Sequence, residues 1–128
     1  RYSSLLPFLG PPQLLTKSRF LLQYGKIGYA ALKAMEDAGV SPQNVDFYFH
    51  GEASPLNASK YITPNIQVAN WFGMKGKGSI HHSEACCTGY LVLEQAVNTA
   101  ASGKDNCVLS GCVEFADSVA VPTHEKPA

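Results

Sequence analysis

The chain has 128 residues, 45 % of them hydrophobic, which is enough for one globular domain with a real core. Ten basic residues balance ten acidic ones, so the composition argues against nucleic acid or an anionic membrane as partner. No apolar run approaches the ~20 residues that span a bilayer; Leu5 to Leu15 is short, is broken by Pro7, Pro11 and Pro12, and lacks a signal-peptide cleavage site, so the expected location is the cytoplasm.

Residues 1–23 give little pattern: the chain begins at Arg1, and Pro-rich apolar residues lead into Leu21 and Leu22. From Tyr24 the pattern sharpens. Ile27, Ala31, Ala34, Met35 and Ala38 form one helical stripe, and Gly39 ends it. Ser41-Pro42-Gln43-Asn44 is turn chemistry, and Val45 to His50 reads as a short strand buried on both faces. A polar loop follows from Gly51 to Tyr61. Thr63 and Pro64 open a second helix as cap and first-turn proline, with Val68, Trp71 and Phe72 as its buried side and Gly73 as its stop. Ser79 to His82 suits a strand. Beyond Gly89 a third helix presents Tyr90, Leu93, Ala96, Val97, Ala100 and Ala101 at three- and four-residue spacing, closed by Gly103. Asn106 to Glu114 is a further buried strand. Helices alternating with apolar strands predict an α/β layer fold whose ligands bind at the carboxyl ends of strands, where His50, Gly51 and Glu52 lie.

The cysteines divide into two kinds. Cys86 and Cys87 are neighbours, and adjacent Cα atoms about 3.8 Å apart fall short of the ~4.4–6.8 Å of an ordinary disulfide. Cys107 and Cys112 are five apart on one strand and face opposite ways, so a reduced chain is expected. The Cys86–Cys87 pair sits where a strand turns into a helix. A free thiol of pKa about 8.5 is only about 3 % thiolate at neutral pH. A helix N-terminus favours an anion by up to ~2 kcal/mol, or about 1.5 pKa units, which suits a nucleophile facing a cleft. Packing is the competing explanation, since cysteine is among the most buried residues. His81, His82, Cys86 and Cys87 lack the regular paired spacing of a zinc site, so no metal is expected, and no cofactor.

Three pieces of sequence, in order, carry a resemblance. The first is Asp37-Ala38-Gly39 followed by Val45-Asp46 opening a strand. The second is the Pro64-led helix ending in Phe72-Gly73. The third is Ala85-Cys86-Cys87-Thr88-Gly89-Tyr90, with Ala101-Ser102-Gly103-Lys104-Asp105 and a strand ending Gly111-Cys112-Val113-Glu114. Over residues 24–115 the chain resembles the N-terminal half of the thiolase superfamily, in particular β-ketoacyl-ACP synthase III-like proteins. The resemblance implies half of a thiolase-like layered α/β fold, a mixed sheet with packed helices, flanked by a poorly defined 1–23 segment and a 116–128 tail. It maps the family nucleophile onto Cys87, which precedes a small residue, a glycine and an aromatic, and leaves Cys86 to packing. Thr88 and Gly89 are then expected at the substrate.

The block His50-Gly51-Glu52-Ala53-Ser54-Pro55, with His81 to Tyr90, is most similar to the β subunit of component C in the glycine/sarcosine/betaine reductase complex, which handles an acetyl thioester released as acetyl phosphate. HMG-CoA synthases of the same superfamily place a general acid/base glutamate in the corresponding loop, which implies a proton-transfer role for Glu52, with His50 beside it. The resemblance thus implies acyl, in particular acetyl, transfer through a Cys87 thioester. Its partners would be an acyl thioester or acetyl phosphate, and a second copy or a complementary thiolase-like subunit. In the family a second half supplies a histidine, an asparagine or second histidine, and glycine amides; this sequence stops at Ala128, and a fragment or a separately supplied half is expected. The alternatives are a non-catalytic dimerisation module and a stand-alone acyl-CoA condensing enzyme.

Overall fold

The computed structural model describes residues 19–53 and 63–114, with side chains from residue 24 onward. Its elements are α1 (Arg19–Ala38), a 3-10 turn (Pro42–Asn44), β1 (Phe47–Gly51), α2 (Pro64–Trp71), β2 (Gly78–His82), a 3-10 turn (Ala85–Cys87), α3 (Thr88–Ala101) and β3 (Val108–Cys112). Helix α1 starts at Arg19, so the expected boundary at residue 24 falls inside it.

The three strands form one parallel sheet in the order β2-β1-β3, with Phe47 opposite Gly78 and Val108, and Gly51 opposite His82 and Cys112. Among the described residues every pairing is parallel; the mixed character expected from sequence has no strand here. Asp46 fixes the register at the entry to β1, since its carboxylate accepts the Asn106 and Cys107 amides at 3.0 and 3.1 Å.

Strand alternation sorts the core into two layers. On one face, Tyr48 and Leu109 pack with Tyr24, Ile27, Ala31 and Met35 of α1 and with Val68, Ala69 and Phe72 at α2. On the other, Phe49 packs with Val92 and Ala96 of α3, and Phe47 and Val108 flank them. The sheet is therefore covered by α1 and α2 on one side and α3 on the other. Four of the five β1 residues are buried, as expected for a strand covered twice.

Helix α1 ends as its sequence requires. Gly39 takes φ 68°, and Val40 N–H donates to Met35 O at 3.0 Å, which turns the chain out of the helix. Within the predicted stripe Ala34 and Ala38 are exposed, and Tyr24 takes the extra buried position. Thr63 precedes α2 but makes no side-chain capping bond; Pro64 in the first turn, which has no N–H to satisfy, starts the helix instead.

The larger correction concerns α3. Its buried residues are Thr88, Val92 and Ala96, whereas Tyr90, Leu93 and Val97 are 73 %, 56 % and 58 % exposed. Of the predicted stripe only Ala96 faces the sheet. This helix is apolar on more than one side, so spacing alone does not say which side meets β1.

Candidate active site

Strand β2 ends at His82 and the chain turns through Ala85–Cys87 into α3 on the carboxyl edge of the sheet. Cys87 is the residue before the first turn of α3, with φ −89° and ψ −3°, and its side chain is exposed, as is that of Cys86. The turn is tied at several points. Cys87 N–H donates to Glu84 O at 3.0 Å, Thr88 N–H donates to Ala85 O, and the Thr88 hydroxyl donates to Ala85 O while accepting the Glu84 amide, both at 2.8 Å. Ala85 pays for the tight path with φ 47°, a left-handed conformation unusual for a residue with a Cβ. The amides of Cys87 and Thr88 are thus consumed by the turn, and an oxyanion formed at Cys87 would need other donors.

Thr88 is buried and Gly89 half-buried. A Cβ on Gly51 would meet Thr88 Cγ2 at 3.0 Å and Cys112 Sγ at 3.2 Å, and one on Gly89 would meet Cys112 Sγ at 3.7 Å. The end of β1, the start of α3 and Cys112 are therefore in close contact on the α3 face. Burial, helped by Glu114 and then Glu52, pushes the Cys112 thiol up from its ordinary value.

His50 faces α1, as the even-numbered β1 residues do, and Glu52, the residue just past β1, joins it there. His50 Nε2 is 3.3 Å from Glu52 Oε2, and neither side chain has any exposed surface. Tyr24 from α1 donates to the same Glu52 oxygen at 2.8 Å, and Tyr48 Oη is 2.7 Å from His50 Nδ1. From β2, His81 Nε2–H donates to the Glu52 carbonyl at 3.0 Å, with its ring 5.7 Å from that of His50. Glu52 is not solvated, as a loop glutamate usually is; it is the centre of a buried polar chain. Sequence reading missed Tyr24, Tyr48, His81 and Cys112. The signal for Tyr48 was present, since residues 48, 50 and 52 share one side of a strand.

Burial holds the His50 imidazole below its ordinary value; the bond to Glu52 opposes this and His81 adds to it. An unfolded histidine takes its proton as pH falls through about 6.5, whereas buried His50 resists, so the unfolded state binds more protons in that window. Stability should therefore fall as pH drops below about 6.5 toward the folded-state value. Urea unfolding at pH 7.5, 6.5 and 5.5 should give a shallower slope for His50→Gln than for the parent chain.

Among the described residues no group of three or more His, Cys, Asp or Glu side chains could hold a metal, and no helix is long and apolar enough to cross a membrane. No protein-family model matches the sequence, and no curated protein matches it. Solved structures do. 3-Oxoacyl-[acyl-carrier-protein] synthase III from Aquifex aeolicus VF5 superposes with a TM-score of 0.62 at 25 % identity, over 69 % of this chain and 28 % of that one. The fold is that of the thiolase-like condensing enzymes. AbyA1, a tetronic acid condensing enzyme, matches with a TM-score of 0.57 at 26 % identity, over 73 % of this chain and 28 % of its own. The thiolase-like chain described here spans under a third of the length of either.

Proposed function

We propose that the chain carries the acyl-accepting half of a thiolase-like acyltransferase, with Cys87 as nucleophile. The observation that carries this is an exposed cysteine at the mouth of a helix, on the carboxyl edge of a parallel sheet, in a fold shared with condensing enzymes. The Cys87 sulfur attacks the acyl carbonyl, the bond to the leaving thiolate or phosphate breaks, and the acyl group waits as a thioester for its acceptor. Thr88 packs the start of α3 against Gly51, Gly89 lies beside Cys112, and the two hold that sulfur in place. Glu52 and His50 serve as a proton-holding pair on the far side of the sheet rather than as groups touching the thioester. The acyl group we favour is acetyl, with phosphate as acceptor, as in the component C β subunit of glycine/sarcosine/betaine reductase; the support is the His50–Pro55 loop and the His81–Tyr90 block. Such a reaction belongs in the cytoplasm.

Incubation with acetyl-CoA or acetyl phosphate, followed by peptide mass mapping, tests the reading. One acetyl group on Cys87, removable by hydroxylamine, is the expected result; no adduct with either donor rejects it.

The bare face of α3 favours an accompanying partner. Tyr90, Leu93 and Val97 form an exposed apolar row on a helix that already buries its other side. We infer that a further thiolase-like half covers it, and sedimentation decides whether a second copy of this chain supplies it. Leu93→Glu should change folding stability by no more than about 0.5 kcal/mol, as for other surface positions, while abolishing concentration-dependent association. Unchanged association would place the partner on another surface. The same face, with the Cys87 and Thr88 amides already spent, is what a non-catalytic dimerisation module would also present, and absence of the acetyl adduct would select that reading.

A further inference from the structure

The polar chain opposite α3 spans three elements and is sealed from water: Tyr24 is 1 % exposed, and Tyr48, His50 and Glu52 are 0 % exposed. Its geometry constrains where the protons are. Burial raises the Tyr48 phenol well above its ordinary value, so it keeps its proton. Among the described residues that hydroxyl has one acceptor within reach, His50 Nδ1 at 2.7 Å. Nδ1 must then be bare, and a neutral imidazole carries its proton on Nε2, the nitrogen that faces Glu52 Oε2. Tyr24 also donates to Oε2, which makes that oxygen a double acceptor.

We propose that Tyr48 and Tyr24 are positioning residues for the His50–Glu52 pair: Tyr48 confines the imidazole proton to Nε2, and Tyr24 and that proton both point at Oε2 of Glu52. Among the described residues, the titratable groups around it are Tyr24 from α1, Tyr48 from β1, Glu52 just past it, His81 from β2 and, across the sheet, Cys112 from β3. His81 leaves this pattern unchanged, because its own Nε2–H is engaged by the Glu52 carbonyl. The arrangement gives Glu52 Oε2 the role of shared hydrogen-bond acceptor. The catalytic meaning of that role rests on the thioester reading above; the protonation pattern does not.

The test is long-range 1H–15N correlation of the histidine rings in the 128-residue chain, before any acyl donor is added. The expected result is a His50 pattern with a protonated Nε2 and a bare Nδ1 from pH 6 to 8. Tyr48→Phe removes a bond that favours the neutral ring, so His50 should begin to protonate at higher pH and its tautomer should become mixed. Tyr24→Phe should leave the tautomer intact, because Tyr24 does not touch the imidazole nitrogens. A proton on Nδ1 in the parent chain overturns the proposal outright, and this reading does not depend on either variant folding. A Tyr48→Phe spectrum identical to the parent overturns the role of Tyr48. Because the spectra are taken on unreacted protein, failure of Cys87 to accept an acetyl group leaves this result standing, and the reverse also holds.

Discussion

Glu52→Ala should destabilise the fold by about 2–6 kcal/mol, because two buried donors lose the acceptor they share. The carboxylate is the shared acceptor for Tyr24 and His50, both of which stay buried when it is gone. A buried donor that loses its acceptor costs about 1–3 kcal/mol. Glu52→Gln keeps an oxygen at the same reach and should lose clearly less. Urea denaturation at pH 7.5 measures both, and equal, small losses would mean that the polar chain reorganises freely. Such a result would also contradict the sealed geometry from which the His50 protonation pattern follows.

The second large effect falls on chemistry and leaves stability alone. Cys87→Ala should abolish acetyl incorporation from acetyl-CoA or acetyl phosphate, because the sulfur that holds the group is gone. Its side chain is exposed, so the unfolding free energy should move by no more than about 0.5 kcal/mol. Cys86→Ala should retain the adduct. Intact-mass spectrometry of the three chains reads the result directly, and adduct surviving in Cys87→Ala but lost in Cys86→Ala would transfer the role to the neighbouring thiol. The pair of variants at 52 and 87 thus separates what holds the fold from what would carry the acyl group.

Much of this was readable from residue pattern. The glycine stop of α1, the strand from Phe47, the proline-led α2 and the cysteine turn leading into α3 all follow local rules. Those rules act over a few residues: Gly39 reaches a positive φ that others avoid, and Pro64 needs no hydrogen-bond partner in the first turn. What failed depended on which neighbour each face meets. The α3 row Tyr90, Leu93 and Val97 has good helical spacing, yet Val92 and Ala96 supply a second apolar side, and only the sheet decides between them. His50 and Glu52 were placed at the correct strand end, but their side of the strand was not considered. Tyr24 could not have been joined to them by spacing, since 28 residues separate it from Glu52. The turn at Ala85–Cys87 likewise uses amides that a simple helix start would have left open. The loop at 54–62 and the 116–128 tail lie outside the described residues.

The pleat of β1 has a practical corollary. Odd positions 47, 49 and 51 adjoin the α3 compartment, and even positions 48, 50 and 52 adjoin the α1 compartment, so a single strand addresses two environments. Substitutions drawn from opposite parities share few partners, and their energetic effects should sum, whereas pairs of the same parity should not. Gly51 is the tightest point on the α3 side: it sits against both Thr88 and Cys112, so any side chain there would lever the first turn of α3 away from the sheet.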